Sequence, residues 1–287
     1  MGFRTIIITK NCKLSYRNDY LIIRSEELKM IHLSEISTII VENGMCSITS
    51  YLINELANKK IKLIICDEKH NPSCEVMPYY GSFNTSKKIN SQINWTKIKK
   101  DEAWKIIVKY KIHNQGHLLE KLRIDGFDKL FEFEKEVTPG DTTNREGHAA
   151  KVYFNLLFGK SFIRGDSNNT NAALDYGYSI LLSLLNREIV SKGYITQLGI
   201  NHRNEFNPYN LSCDLMEIFR PLIDGIVYEN IEFALDKDYK LKLIDVCNKE
   251  VIIDGKKQYL SNAIPIFLGS VFNFLESDEN NILNYEF

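Results

Sequence analysis

Ser37-Thr38-Ile39-Ile40-Val41, the turn signal Asn43-Gly44, the segment from Ser47 to Lys59 and the run Lys62-Leu63-Ile64-Ile65-Cys66 set the architecture of the first part of the chain. The first run is β-branched and bounded by a turn signal, so it reads as a strand. Ser47 to Lys59 puts Ile48, Leu52, Ile53 and Leu56 on one face at helical spacing. Lys62 to Cys66 is then a short buried strand. Toward the N-terminus, Thr5 to Thr9, Tyr20 to Ile23 and Lys29 to Leu33 are further β-branched runs, broken at Asn11 and at Arg17-Asn18-Asp19. Residues 1–80 therefore read as a small β-rich domain. The polar stretch from Gly81 to Asn94 reads as a linker, assigned to residues 81–95.

From about Trp95 the period changes from two to that of a helix. Lys97 to Leu122 is a long basic helix with a candidate break at Gly116, and Thr142 to Phe158 and Asn171 to Ser191 are two more. Asn210 to about Asn230 is a fourth, with a kink expected at Pro221. A hairpin is expected from Leu241–Val246 and Val251–Ile253 around Asp254-Gly255, then a last helix from Tyr259 to Leu275 and a fraying acidic tail after Glu276. The fold class is α+β: the β-rich N-terminal domain, the linker, and a larger, mostly helical C-terminal domain over residues 96–287.

A length of 287 residues and 44% hydrophobic content suit a globular protein with a real core. No apolar run is long enough to span a bilayer, and the start has no signal-peptide pattern, so no membrane association is expected. The six cysteines form no C-x-x-C pair, which suits free thiols in a reducing cytoplasm. The net charge of -1 is unevenly spread. Residues 87–123 carry ten Lys/Arg against three Asp/Glu, a net +7, whereas residues 124–287 sum to -9. The basic segment has the charge of a polyanion footprint, and also of a solvated helix face. No P-loop, G-x-G-x-x-G, H-E-x-x-H or G-x-S-x-G motif is present, which argues against ATPases, dehydrogenases, zincins and α/β-hydrolases.

Three stretches carry candidate chemistry: Asn144 to Phe154 with Glu146, Leu198 to His202, and Leu211 to Pro221 with Asp214 and Glu217. Two carboxylates and an imidazole make a mostly oxygen site for a hard divalent cation such as Mg²⁺ or Mn²⁺. Each residue also has a plainer reading. Thr143-Asn144-Arg145-Glu146 is a capping box, in which Glu146 serves only the helix start, with Asp141 and Thr142 as competing caps. His202 lies in a polar loop and is otherwise an exposed histidine. Asp214 and Glu217, three apart near a helix start, are otherwise dipole-favoured acids. Arg145, Arg164 and Arg220 could pair with phosphates or with these acids, and Tyr176 and Tyr178 could stack on bases or fill a core.

Arg145-Glu146-Gly147…Ala150…Tyr153-Phe154, then Asn171…Leu174-Asp175-Tyr176-Gly177-Tyr178, then Gly199-Ile200-Asn201-His202…Leu211…Asp214-Leu215-Met216-Glu217…Phe219-Arg220-Pro221 together resemble the Cas1 family, the CRISPR-associated integrases of spacer acquisition. The resemblance runs over essentially the whole chain, and its flavour is that of the type II branch. It implies a metal site of Glu146, His202 and Glu217 for Mg²⁺ or Mn²⁺. Asp214 matches a further frequently acidic position, as a further ligand or beside the ligands, and Arg220 is expected beside them. The resemblance also implies joining of 3′-OH ends of a short double-stranded DNA fragment to a CRISPR repeat by transesterification, a homodimer, and the small partner Cas2; the exposed edges of a small sheet point to the N-terminal domain as the dimerisation domain. Cys213 departs from the small or apolar residues usual at its position. Lys97, Lys99, Lys100, Arg145, Arg164 and Tyr176 are the candidate DNA contacts. Two other functions fit the same residues: a metal-dependent, structure-specific nuclease without integration, and a non-catalytic nucleic-acid scaffold.

Overall fold

The β-branched runs at the start of the chain pair into two four-stranded sheets. In the computed structural model, which describes residues 4–68, 72–79, 84–277 and 281–287, the strands are β1 (Arg4–Ile8), β2 (Lys13–Arg17), β3 (Tyr20–Arg24), β4 (Leu28–His32), β5 (Ile36–Val41), β6 (Ser47–Ile48), β7 (Lys62–Cys66) and β8 (Pro72–Val76), with helix α1 (Ser50–Asn58) between β6 and β7. One sheet has the order β1-β5-β7-β8, with β1, β5 and β7 parallel and β8 antiparallel. The other has the order β4-β3-β2-β6, an antiparallel meander closed by the parallel β6. Asn18 and Asp19, both with positive φ, make the tight turn between β2 and β3. Leu14, Leu21, Leu33, Ile36, Ile39, Leu52, Leu56 and Leu63 form the core. Strands β2 and β8 escape a propensity reading because Lys13–Arg17 and Pro72–Val76 are largely polar, and backbone pairing to β3 and β7 recruits them.

Contacts divide the chain into two units, Met1–Thr85 with Val190–Gly193, and Ser86–Ile189 with Tyr194–Phe287. The second is mainly helical: α2 (Thr85–Ile93), α3 (Lys97–Lys121), α4 (Asp128–Lys135), α5 (Arg145–Phe158), α6 (Asn169–Ser191), α7 (Asn210–Met216), α8 (Arg220–Glu229), α9 (Lys237–Ile244) and α10 (Leu260–Glu276). Strands β9 (Glu250–Ile253), β10 (Lys256–Tyr259) and β11 (Tyr285–Glu286) form a small sheet. Helix α3 packs on α4, α5, α7, α8 and α10. Its buried residues include Trp104, Ile107, Val108, Lys111, Ile112, Asn114, Gln115 and Leu119, so this basic helix is the axis of the unit. Among the described residues no helix is long and apolar enough to cross a membrane.

Several expectations change. The segment assigned as linker contains α2, with residues 81–83 outside the described part. Helix α3 runs through Gly116 unbroken. Leu241–Val246 is helical, in α9 and the 3₁₀ turn Asp245–Asn248, where Leu243, Ile244 and Val246 are packed into the core; the hairpin is β9–β10 with Asp254-Gly255 as its turn. The helix expected over 210–230 is split by a 3₁₀ turn at Glu217–Phe219. Pro221 has no N–H to give the carbonyl four residues back, that of Glu217. The next carbonyl, Ile218, instead accepts from Asn114 Nδ2 at 3.1 Å and Tyr285 Oη at 2.9 Å. The described part of the tail is held: Ile282 and Tyr285 are buried, and the Ile282 carbonyl accepts from Tyr110 Oη at 2.7 Å.

Helices α6 and α8 touch at Gly177, where an added Cβ would lie 2.5 Å from Ile223 Cγ2. Gly177→Ala is expected to cost about 1–3 kcal/mol of stability through overpacking. In chemical denaturation the double variant with Ile223→Ala should lose less than the sum of the two single changes.

Candidate metal centre

Glu146 stands in the first turn of α5, and the capping box centred on Thr143 is not what starts that helix. Asp141, at the end of the 3₁₀ turn Pro139–Asp141, accepts the N–H of Arg145 on Oδ1 at 2.9 Å and that of Glu146 on Oδ2 at 3.0 Å. Two of the orphan donors of the helix start are thus satisfied by Asp141. The Glu146 side chain is left free to reach Lys111 of α3, with Oε1 2.5 Å from Nζ.

His202 is oriented by Asp214. Fully buried Asp214 accepts the backbone N–H of Ile200 at 2.6 Å and of Asn201 at 2.9 Å on Oδ2, and that of His202 at 3.1 Å on Oδ1. The same Oδ1 lies 2.5 Å from His202 Nδ1. This fold of the loop requires Gly199, since a Cβ there would meet the His202 carbonyl oxygen at 2.4 Å and Asp214 Oδ2 at 2.8 Å. The hydrogen bond that the imidazole donates to Asp214, against the cost of partial burial, raises the His202 pKa above its ordinary value. Nδ1 is engaged, so Nε2 is the nitrogen available to a ligand, in the carboxylate–histidine arrangement common at metal centres. Trp104 of α3 meets the imidazole edge-on at 5.8 Å.

Glu217 sits at the 3₁₀ break, with its side chain 5% exposed. Its Oε2 lies 2.5 Å from Lys111 Nζ and its Oε1 3.0 Å from Arg220. Burial opposes its ionisation, but Arg220 and Lys111 outweigh burial and hold the carboxyl below its ordinary pKa. Burial likewise works against the Lys111 ammonium, and Glu217 and Glu146 reverse that, raising its pKa. Arg220 is pinned over the Tyr178 ring at 4.6 Å. Tyr178 and Tyr153 donate to Asp224, the latter at 2.8 Å, and burial of Asp224 pushes its pKa up to about 6. His202 feels the charges of both Glu217 and Glu146.

Among the described residues, no three His, Cys, Asp or Glu side chains stand at ligating spacing as they are. Glu146 and Glu217 converge, and the point of convergence is the Lys111 ammonium. The donor set nevertheless fits a hard divalent ion: two carboxylates facing one cationic point, and an imidazole with one nitrogen committed to a carboxylate. Lys111 and Asp224 were not singled out from the sequence. The available signal for Lys111 was a charge on the apolar face formed by Ile107, Val108, Ile112 and Leu119.

The other candidates are dispersed. Lys97 pairs with Asp101, Lys99 donates to the Ser277 carbonyl at 2.9 Å, and Arg145 pairs with Glu136 at 3.0 Å. Arg164 pairs with Asp175 and Asn171. Tyr176 is buried in the core with Lys240 over its ring, so its face is not offered to solvent. Lys100, whose pKa burial lowers, lines an open pocket of about 740 Å³ together with His202, Arg203, Asn204 and Phe206.

Residues 5–240 match the family model of the CRISPR associated protein Cas1. The chain is 34% identical over 273 residues to a CRISPR-associated endonuclease Cas1 from Neisseria meningitidis serogroup C, covering 93% of this chain and 89% of the relative. It belongs to the Cas1 family. A Cas1 from Pyrobaculum aerophilum is 25% identical over 235 residues, covering 75% and 77% of the two chains. The fold matches that of a Cas1 protein from Thermotoga maritima with a TM-score of 0.79 at 16% identity, over 97% of this chain and 99% of that one. It also matches a casposase bound to integration product with a TM-score of 0.78 at 20% identity, over 98% and 92%.

The His202–Asp214 pair gives a pH test. Because the folded pKa of His202 is raised, the pair's contribution to stability is fully present below the pKa of an unfolded histidine and is lost as pH rises through the folded value. Asp214→Asn should bring the His202 titration, followed by NMR, back down toward the ordinary histidine value; an unmoved titration would remove Asp214 as its cause.

Proposed function

We propose that this protein is a metal-dependent DNA integrase and endonuclease of CRISPR spacer acquisition, of the type II branch, which inserts short double-stranded DNA fragments at a CRISPR repeat by 3′-OH transesterification. The observation that carries the reading is the convergence of Glu146 and Glu217 on one cationic point beside a His202 held by Asp214, in a chain of the Cas1 family. Capping of α5 by Asp141 supports it further, because it leaves Glu146 no structural task at the helix start.

Glu146, Glu217 and His202 Nε2 would hold the Mg²⁺ or Mn²⁺ ion. Such an ion, when bound, polarises a phosphodiester and eases deprotonation of an attacking hydroxyl. The chain's own part is positioning. Asp214 fixes the imidazole through Nδ1, and Arg220 fixes one oxygen of Glu217 so that the other faces the site. Lys100 and Arg203 beside His202 supply positive charge for a phosphate backbone without reading sequence. The partners proposed are a second copy of the chain and the small protein Cas2. The second is supported by the Cas6-RT-Cas1–Cas2 complex, one chain of which this fold matches with a TM-score of 0.70 at 19% identity, over 95% of this chain and 35% of that one.

Glu217→Ala and His202→Ala are each expected to lower strand transfer into a repeat-containing duplex by about a hundredfold or more, with the folded state intact by circular dichroism. Transfer at the wild-type rate in either variant would remove that residue from the centre. Loss of transfer with cleavage retained in the wild-type chain would instead favour a nuclease without integration.

Binding to duplex DNA should weaken by roughly 0.9 log unit of K per decade of salt for each phosphate contact. Replacing Lys97, Lys99 and Lys100 by Ala should flatten the slope in a fluorescence titration. An unchanged slope would assign the DNA surface to other residues.

A further inference from the structure

We infer that Lys111 is a resident cation that occupies the place between Glu146 and Glu217 until a divalent ion displaces it, so that metal binding at this centre is an exchange of one cation for another. The inference rests on the metal reading above and adds to it a residue which that reading does not use.

Two observations and two physical constraints converge. Lys111 projects from the central helix α3 with its side chain 8% exposed, and its ammonium lies 2.5 Å from an oxygen of each carboxylate. Those carboxylates come from two other elements, the start of α5 and the break between α7 and α8. A buried carboxylate such as Glu217 is costly without a counter-charge, so a folded, metal-free site of this composition needs a cation of its own. An ion at about 2.1 Å from both oxygens cannot share them with an ammonium 2.5 Å from each.

The two cations on Glu217 differ in freedom. Arg220 is stacked on Tyr178 and planar, with one contact to Oε1. Lys111 is a point charge on a flexible four-carbon stem, the type of side chain that can withdraw by a rotamer change. The arrangement therefore has one fixed cation that orients Glu217 and one exchangeable cation that fills the ligand position. Lys111 acts through the carboxylates alone, by filling the place that the ion takes.

Removing Lys111 has opposite consequences under the two roles it could have. A competing cation, once removed, leaves a more negative site and tighter metal binding. A purely structural clamp, once removed, lets the carboxylates spread and weakens it. Mn²⁺ binding to the purified full chain, measured by calorimetry and by electron paramagnetic resonance of the free ion, is expected to be lost in Glu217→Ala and to be about tenfold tighter or more in Lys111→Met than in wild type. Binding in Lys111→Met that equals or falls below wild type would overturn the exchange while leaving the metal centre standing. No Mn²⁺ binding by the wild-type chain, or binding that Glu217→Ala leaves unchanged, would remove the centre and the exchange with it. The wild-type chain crystallised with Mn²⁺ provides the check that needs no variant. The Lys111 ammonium should have left both carboxylates, and an ammonium still bridging them beside a bound ion elsewhere would refute the inference.

Discussion

The pairing of one buried ammonium with two carboxylates organises the helical unit. Lys111 lies near the middle of α3, and Glu146 and Glu217 reach it from segments 35 and 106 residues further along the chain. Such a triad is weak evidence for stability, because desolvation of three charges offsets most of their attraction. Its value lies in specificity: α5 and the α7–α8 break must both present an acid to the same face of α3. Trp104, Ile107, Val108 and Ile112, buried on the same helix, keep α3 out of water around Lys111.

Each arm of the site has its own local device. The start of α5 is capped from outside by Asp141, which frees Glu146. The 200–202 loop is wound around Asp214, which takes three backbone N–H groups and the imidazole together. The helix that carries Glu217 tightens to a 3₁₀ turn at that residue. The buried carbonyl of Ile218 accepts from Asn114 of α3 and from Tyr285 of the C-terminal segment. The C-terminal segment thus belongs to the architecture of the site, and its burial follows from Ile282 and Tyr285 having apolar places to fill. The Arg220–Tyr178–Asp224–Tyr153 chain extends the support inward, with the Asp224 pKa pushed up by burial.

Much of this was legible in residue order. The β-branched runs of the first 66 residues, the turn at Asn18-Asp19 and the long helical periods after Trp95 declared an α+β chain, because periodicity and turn chemistry are local. The three stretches around Glu146, His202 and Glu217 could be picked out as candidate ligands, and with them the family, because residue type and spacing are also local. Polar strands β2 and β8 could not, since only their partners' backbone makes them strands. Nor could the helical state of Leu241–Val246, where β-like composition was overruled by packing.

What the sequence by itself determined was the class of fold and the family, together with a short set of candidate residues for chemistry. It left open whether Glu146 capped a helix or faced a cleft, and it showed Lys111 only as one more lysine in a basic run. Tertiary structure decided both. Which carboxylate caps a helix depends on where the preceding turn aims Asp141, and which lysine loses its water depends on what packs around α3. Charge is a property of a residue, but its pairing and burial depend on neighbours that the chain brings together only when folded.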